Sequence, residues 1–96
     1  MDPSAHDNWA LRWASVNGRL EIVKLLLSDA RVDPSAQDNA ALCVSSGRGH
    51  LEIVQILLSD DRVDPSARDG LAIVLASDSG HSEIVKLLQS HPRFRR

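Results

Sequence analysis

One segment occurs three times along the chain at a constant spacing of 31 residues. Each copy starts with a glycine, at Gly18, Gly49 and Gly80, and has a Glu-Ile-Val triplet three residues later. Apolar residues occupy positions i, i+1, i+3 and i+4 of each copy, which is the spacing of an α-helix with a wide apolar face. Such a helix must be covered on several sides, and the sequence places similar helices one period away. A fixed period of roughly 20–50 residues therefore predicts a solenoid in which each unit packs on the next.

The repeat extends beyond this helix to nearly the whole sequence. An Asp-Pro-Ser-Ala segment begins at Asp2, Asp33 and Asp64, again at the same spacing. A chain of 96 residues is short enough to share one buried core. We therefore predict a single domain, residues 1–96, that consists of three units: 2–32, 33–63 and 64–94.

Within each unit the residue types predict a turn, a short helix, a glycine and a longer helix. Proline restricts its own backbone and that of the residue before it, which favours a turn. The polar pairs that follow, such as Asp38 and Asn39, favour a helix start because their side chains can accept hydrogen bonds from the free N–H groups. Each glycine is expected to supply the left-handed backbone that ends the short helix. The short helices are predicted over residues 9–16, 40–47 and 71–78.

These units resemble the ankyrin repeat. The family pattern runs G-x-T-P-L-H-x-A-A-x-x-G-H-x-x-I-V-x-x-L-L. The middle unit matches it at Ala41-Leu42, Ser45-Ser46, Gly49-His50, Ile53-Val54 and Leu57-Leu58. Other residues replace the Thr-Pro-Leu-His segment, and the unit is two residues shorter than the family's usual length of about 33. The resemblance implies an all-α, ankyrin-type helix-turn-helix solenoid of three repeats with shortened inter-repeat turns, and a function in protein–protein interaction.

Composition and charge narrow the range of partners. The formal net charge is −2, which gives no general attraction to nucleic acid or an anionic membrane. The basic C-terminal tail, 93–96, is the local exception, and we interpret it as a solvated chain end. No apolar run approaches the roughly 20 residues needed to span a bilayer. The lone Cys43 and an N-terminus without a signal-peptide pattern favour an intracellular protein, cytoplasmic or nuclear, although a secreted one stays open.

The sequence predicts neither an enzyme nor a metal or cofactor site. His50 and His81 occupy equivalent positions in units that should stack about 10 Å apart, too far for both to bind one metal ion. We interpret them as structural residues that bond to the backbone across the turn. Cys43 aligns with Arg12 and Val74, so its position varies between units. We interpret it as a small packing residue rather than a nucleophile.

Several positions vary between units, whereas the second helix is nearly constant. By the geometry that the resemblance implies, these positions lie on the turn and the concave side of the first helix. A variable face is where a solenoid binds a partner, so we predict that the chain binds another protein there, with Trp9 as an exposed anchor and Trp13 in the core. The alternative is an inert structural or assembly fragment, or an engineered scaffold, without a specific ligand. The predicted binding residues are His6, Asn8, Trp9, Arg12, Asn17, Gln37, Asn39, Arg48, Arg68, Asp78 and Ser79.

The two ends of the chain differ in polarity. The second helix of the first unit, within 22–27, is as apolar as the middle one, and the first unit also holds both tryptophans. In the third unit Ser82 replaces Leu51, and Gln89 replaces Leu58. Solenoids usually close their terminal units with polar faces. We therefore predict self-association through the N-terminal unit, as a two-fold homodimer or, alternatively, as an end-to-end stack.

Overall fold

Six α-helices follow one another in the computed structural model, which describes residues 5–92, with side chains from Asn8 onward. They are α1 (Ala5–Val16), α2 (Leu20–Leu27), α3 (Ala36–Arg48), α4 (Leu51–Leu58), α5 (Ala67–Asp78) and α6 (Ser82–Ser90). Within residues 5–92 no strand forms, and the connections between helix pairs are short turns. The predicted all-α fold of three helix pairs is confirmed.

The helices form two layers. In the first layer α1 packs against α3 and α3 against α5, and in the second layer α2 packs against α4 and α4 against α6. The two helices of each pair also contact each other, which joins the layers. The result is an elongated body that measures 37 × 22 × 19 Å. Each helix pair therefore depends on its immediate neighbours, as a solenoid requires.

The hydrophobic core lies between the two layers. Leu11 and Leu42 contribute to it from the first layer, and Ile53, Leu57 and Leu88 contribute from the second; all five are almost completely buried. Burial of an aliphatic side chain of this size contributes about 1.5–3 kcal/mol. The wide apolar face of the second helices, which defined the repeat in the sequence, is thus what holds the layers together.

Both α3 and α5 begin with a left-handed turn. Gln37, Asp38 and Asn39 have φ angles of 56°, 55° and 65°. Right-handed helix therefore begins at Ala40, and in α5 it begins at Leu71, after the equivalent left-handed residues. These two starting points are the ones predicted from the sequence. The left-handed turn itself was not predicted, because glutamine is uncommon at positive φ.

Asn39 does not cap its own helix, so that prediction was wrong. An N-cap residue needs extended backbone, and Asn39 is left-handed. Its Oδ1 instead accepts a hydrogen bond from the backbone N–H of Asp64, at 2.9 Å. Asn8 makes the same bond to Asp33, at 2.8 Å. The buried asparagine of the first and of the second unit therefore fixes the turn that begins the next unit.

Side chains within these turns complete them. Asp64 Oδ1 accepts hydrogen bonds from the backbone N–H and the hydroxyl of Ser66, at 2.9 and 2.7 Å. Arg62 forms an ion pair with Asp60 at 3.0 Å and donates from Nη1 to the carbonyl of Val32, also at 3.0 Å. The connection between the second and third units is therefore bonded back to the end of the first unit.

The glycine that separates the two helices of a unit has the predicted left-handed backbone. Gly49 has φ = 80° and follows α3 directly. The equivalent residues Gly18 and Gly80 have φ = 70° and 77°. Residues other than glycine are strained in this region, which explains why the glycine recurs in every unit.

Candidate protein-binding surface

The histidines of the repeat join neighbouring units. His50 Nε2 donates to the carbonyl of Val16 at 3.1 Å, and its ring lies over Gly18. A Cβ atom at Gly49 would lie only 2.6 Å from Cε1 of His81, so the His81 ring packs on Gly49 in the same way. The structural interpretation of His50 is therefore confirmed, although its bond reaches the preceding unit rather than its own turn. Among the described residues, no group of three His, Cys, Asp or Glu side chains is placed to hold a metal ion.

Cys43 lies inside the first layer. Its side chain is buried, and burial raises the pKa of its thiol. The nearby Arg68 guanidinium favours the thiolate but is the smaller influence. The thiol is therefore protonated at neutral pH, and since the thiolate is the nucleophile, Cys43 acts as a packing residue.

Of the eleven predicted binding residues, two are buried. Asn8 and Asn39 are almost fully covered because their amides hold the following turn. Arg12 is half-buried on α1. The side chain of His6 lies outside the described residues.

The other predicted residues are exposed, and all of them except Trp9 belong to two groups at opposite ends of the first helices. Gln37 and Arg68 lie in the left-handed turns at the start of α3 and α5. The second group lies at or just after the end of the first helices: Asn17, Arg48, Asp78 and Ser79. The nine residues from Ala40 to Arg48 span roughly 12 Å, because they are separated by eight steps of about 1.5 Å each. A partner that contacts both groups would therefore lie along the whole length of the first helices.

The two tryptophans are neighbours on α1, and both are exposed. Trp9 is 56% exposed, as predicted. Trp13 is 40% exposed, so its predicted place in the core was wrong. The rings stack with their centroids 6.4 Å apart. Sequence alignment of the units put Trp13 in the core because it aligns with the apolar Val44 and Leu75, which the structure shows to be half-buried.

The exposure of Trp13 follows from its place in the first unit. Leu75, at the same position of the third unit, packs against the preceding unit: a Cβ atom at Gly47 would lie 3.2 Å from Leu75 Cβ. This position therefore faces the preceding unit, and in the first unit no described residue covers it. Ile22 shows the same relation, since it is 39% exposed while Ile53 and Ile84 are 2% exposed.

Four large apolar side chains of the first unit share this pattern. Each is exposed, whereas its equivalents in the second and third units are buried or half-buried. We call this surface the N-terminal flank: Trp9, Trp13, Ile22 and Leu25. The apolar residues of α2 belong only partly to the N-terminal flank, because Val23 is fully buried.

The opposite end of the solenoid, which we call the C-terminal flank, has a different composition. Its exposed residues include Asp78, Gly80, Ser82 and Gln89, and no heavy atom lies within 4 Å of a Cβ atom placed on Gly80. Val74 is its large exposed apolar side chain, at 46%. The equivalent Cys43 is buried because the third unit covers it. The C-terminal flank is thus largely polar, as the sequence predicted.

Comparison with known proteins agrees with this architecture. The family model described as ankyrin repeats matches residues 11–94 in three copies. Neither a curated protein nor a solved structure matches the chain. No helix in the described part of the chain has the length and apolar character that a membrane crossing requires.

Proposed function

Because this chain belongs to the ankyrin repeat family, we propose that it is a binding module that contacts another protein through the concave face. This face comprises the first-helix layer and the turns that precede it. The module acts by binding rather than by catalysis. We place its partner inside the cell, in the cytoplasm or the nucleus, since a lone unpaired cysteine suits a reducing compartment.

The observation that carries this proposal is a difference between the two layers. An exposed position at the end of the first helix differs in every unit: Asn17, Arg48 and Ser79. An exposed position near the start of the second helix is the same in every unit: Glu21, Glu52 and Glu83. Exposure alone would let both positions vary. The greater variation in the first layer supports a surface adapted to a partner.

The chemistry of the concave face suits a polar protein surface. Arg48 and Arg68 supply two exposed guanidinium groups, and Asp78 supplies a carboxylate. Arginine is enriched in protein interfaces because its planar group can bind carboxylates with two hydrogen bonds. We therefore expect a partner that presents acidic side chains to the concave face.

Paired double variants test this proposal. The wild-type chain is immobilised, and the protein that it captures from a cell lysate is identified by quantitative mass spectrometry. Arg48→Ala with Arg68→Ala should reduce capture of that protein at least tenfold. Lys24→Ala with Lys86→Ala removes the same charge from the second-helix layer and should leave capture unchanged. Both lysines are exposed and form only long, solvated ion pairs, so neither change should affect folding.

Circular dichroism of both double variants provides the folding control. Equal loss of capture in the two variants would indicate that the partner contacts another surface, or that capture reflects general charge attraction. Capture that neither variant changes would contradict the role of the concave arginines.

We also propose that the N-terminal flank binds a second copy of this chain. The largest patch on a typical monomer is about 300–600 Å² and is often functional. At about 150–250 Å² for a whole tryptophan, the exposed parts of Trp9 and Trp13 alone amount to roughly 150–240 Å². Ile22 and Leu25 enlarge this patch. The second copy can offer either of its flanks: its N-terminal flank gives a two-fold dimer, and its C-terminal flank gives an end-to-end stack.

A further inference from the structure

The contact between units within one chain defines what an end-to-end stack would require. The third unit approaches the second unit closely at Leu75 and Gly47, where Leu75 Cβ would be 3.2 Å from an added Cβ atom. The His81 ring approaches Gly49 still more closely. At both places a large side chain meets a glycine. The interface between units therefore depends on small residues on the side that receives the next unit.

The C-terminal flank offers a second copy Gly80, the equivalent of Gly49, but it has Asp78 where the second unit has Gly47. In a stack with the same register, Trp13 would take the place of Leu75, and Asp78 would take the place of Gly47. Both side chains are larger than the ones they replace, at a point with no spare space. Overpacking of this kind is destabilising. The contact would also bury the Asp78 carboxylate against an indole ring, and an unpaired buried charge is unfavourable.

Other positions of the C-terminal flank are equally unsuited to the N-terminal flank. Ser82 and Gln89 stand where the second unit has Leu51 and Leu58, and Leu58 is almost fully buried beneath the third unit. The apolar contacts that a following unit makes with these leucines would be lost in a stack. Val74 is the exposed large apolar side chain that remains. The polar C-terminal flank is thus a poor complement to two tryptophans, an isoleucine and a leucine.

A second N-terminal flank is a better complement. It presents apolar side chains to apolar side chains, and a two-fold axis lets one patch cover its own copy without forming an open chain. The two patches together approach the roughly 1,000 Å² of buried surface at which specific interfaces begin. We infer that two copies of this chain pair through their N-terminal flanks as a two-fold dimer that excludes the end-to-end stack. This inference rests on the self-association proposed above.

Sedimentation equilibrium over a concentration series tests this inference. The wild-type mass should rise from that of the monomer to that of the dimer and then stay constant. Leu25→Glu places a charge on the N-terminal flank at a side chain that is 71% exposed, so it should fold. It should lower the association constant at least tenfold. Val74→Glu makes the same kind of change on the C-terminal flank and should leave the association constant unchanged.

Tryptophan fluorescence gives an independent reading, because the two tryptophans of the chain both lie on the N-terminal flank. Quenching by acrylamide should decrease as the dimer forms, and it should not decrease in Leu25→Glu. A mass that grows without a plateau, or dissociation caused by Val74→Glu, would support the stack and overturn the two-fold dimer while leaving self-association intact. A monomer at all concentrations would overturn self-association itself. Neither outcome affects binding at the concave arginines, which the capture experiment measures.

Discussion

The middle unit and the end units contain the same residues at several positions, yet these residues have different surroundings. Ile53 of the middle unit is packed beneath the first unit, whereas Ile22 of the first unit faces outward. Gly49 and Gly80 both have left-handed backbone, but only Gly49 lies against a histidine ring. The contribution of a repeat residue is therefore set by whether a neighbouring unit covers it. Substitutions at equivalent positions can measure that difference directly.

The largest contrast is expected at the isoleucine position. Ile53→Ala leaves a cavity between two units and should lower the free energy of unfolding by about 2–5 kcal/mol. Ile22→Ala removes a partly solvated side chain and should cost less than about 1 kcal/mol. Urea unfolding followed by circular dichroism, at a protein concentration low enough to avoid dimers, measures both values. Equal losses would mean that Ile22 is covered in solution.

The second contrast concerns the glycines. Gly80→Ala introduces a Cβ atom into open space and should cost about 1–2 kcal/mol for the left-handed backbone alone. Gly49→Ala adds a clash with the His81 ring and should cost about 1–3 kcal/mol more. Unfolding midpoints of the two variants in urea give the difference. If the two alanine variants are equally stable, the ring of His81 does not rest on Gly49, and a His81→Ala background should then change nothing.

The third contrast compares Arg62, which bridges two units, with Arg31, the equivalent arginine of the preceding turn. Arg62→Ala removes the bond to the Val32 carbonyl and should cost about 1 kcal/mol at neutral pH. Arg31→Ala should cost less, because the Arg31–Asp29 pair is more exposed. Thermal unfolding followed by circular dichroism gives both differences. A larger loss from Arg31→Ala would show that the exposure of the two ion pairs does not determine their contributions.

The same arginines predict a dependence on pH. The hydrogen bond from Arg62 lowers the pKa of Asp60, and the hydrogen bond from Arg31 lowers the pKa of Asp29 to about 2. A carboxylate whose pKa is lower in the folded state stabilises the fold above its unfolded pKa, which is about 3.9. This stabilisation is lost as the pH falls from about 4 towards 2. The difference between wild type and Arg62→Ala should therefore shrink over that range, as measured by thermal unfolding. If the difference in stability stays constant down to pH 2, the ion pair with Asp60 does not cause it.

The smallest contrast is expected at a serine in the first layer. The Oγ atom of Ser46 is buried and has no hydrogen-bond partner among the described residues, whereas the equivalent Ser77 is exposed. Ser46→Ala should raise the free energy of unfolding by up to about 1 kcal/mol, because it removes a polar atom without a partner. Ser77→Ala should change it by less than about 0.5 kcal/mol. Urea unfolding decides, and a clear loss of stability in Ser46→Ala would indicate that its hydroxyl is hydrogen-bonded.

Most of the fold could be predicted from the sequence because each local sequence pattern occurs three times. The recurring glycine, the apolar spacing and the Asp-Pro turn each specify local backbone structure, and helix starts at residues 40 and 71 followed from them. The left-handed turn at Gln37 could not be predicted in this way. In α3 it accompanies a hydrogen bond that Asn39 accepts from Asp64, 25 residues further along the chain, and local sequence does not show such a bond. Asparagine suits both a helix N-cap and a left-handed turn, so local sequence alone cannot decide which of the two it forms.

The candidate surface was less predictable for a related reason. Alignment of the units treats equivalent residues as equal, and so it placed Trp13 in the core with Val44 and Leu75. The structure shows that the position faces the preceding unit, which only the second and third units have among the described residues. Variation between units likewise grouped Asn8 with exposed residues, although its amide is buried in the bond to Asp33. Repeat patterns therefore identify which residues vary, but the neighbouring unit decides which of them are accessible.

The hydrogen bond that Asn39 accepts from Asp64 also affects the order in which parts of the fold unfold. Together with the His50 and Arg62 bonds, it places the middle unit between two boundaries that must both be broken before its helices are released. Each end unit is released when one boundary breaks. In solution the amide protons of α3 and α4 should therefore exchange with solvent only through global unfolding, whereas those of α6 can exchange through partial opening. The slowest-exchanging part of the molecule should therefore be the helix pair whose sequence best matches the repeat.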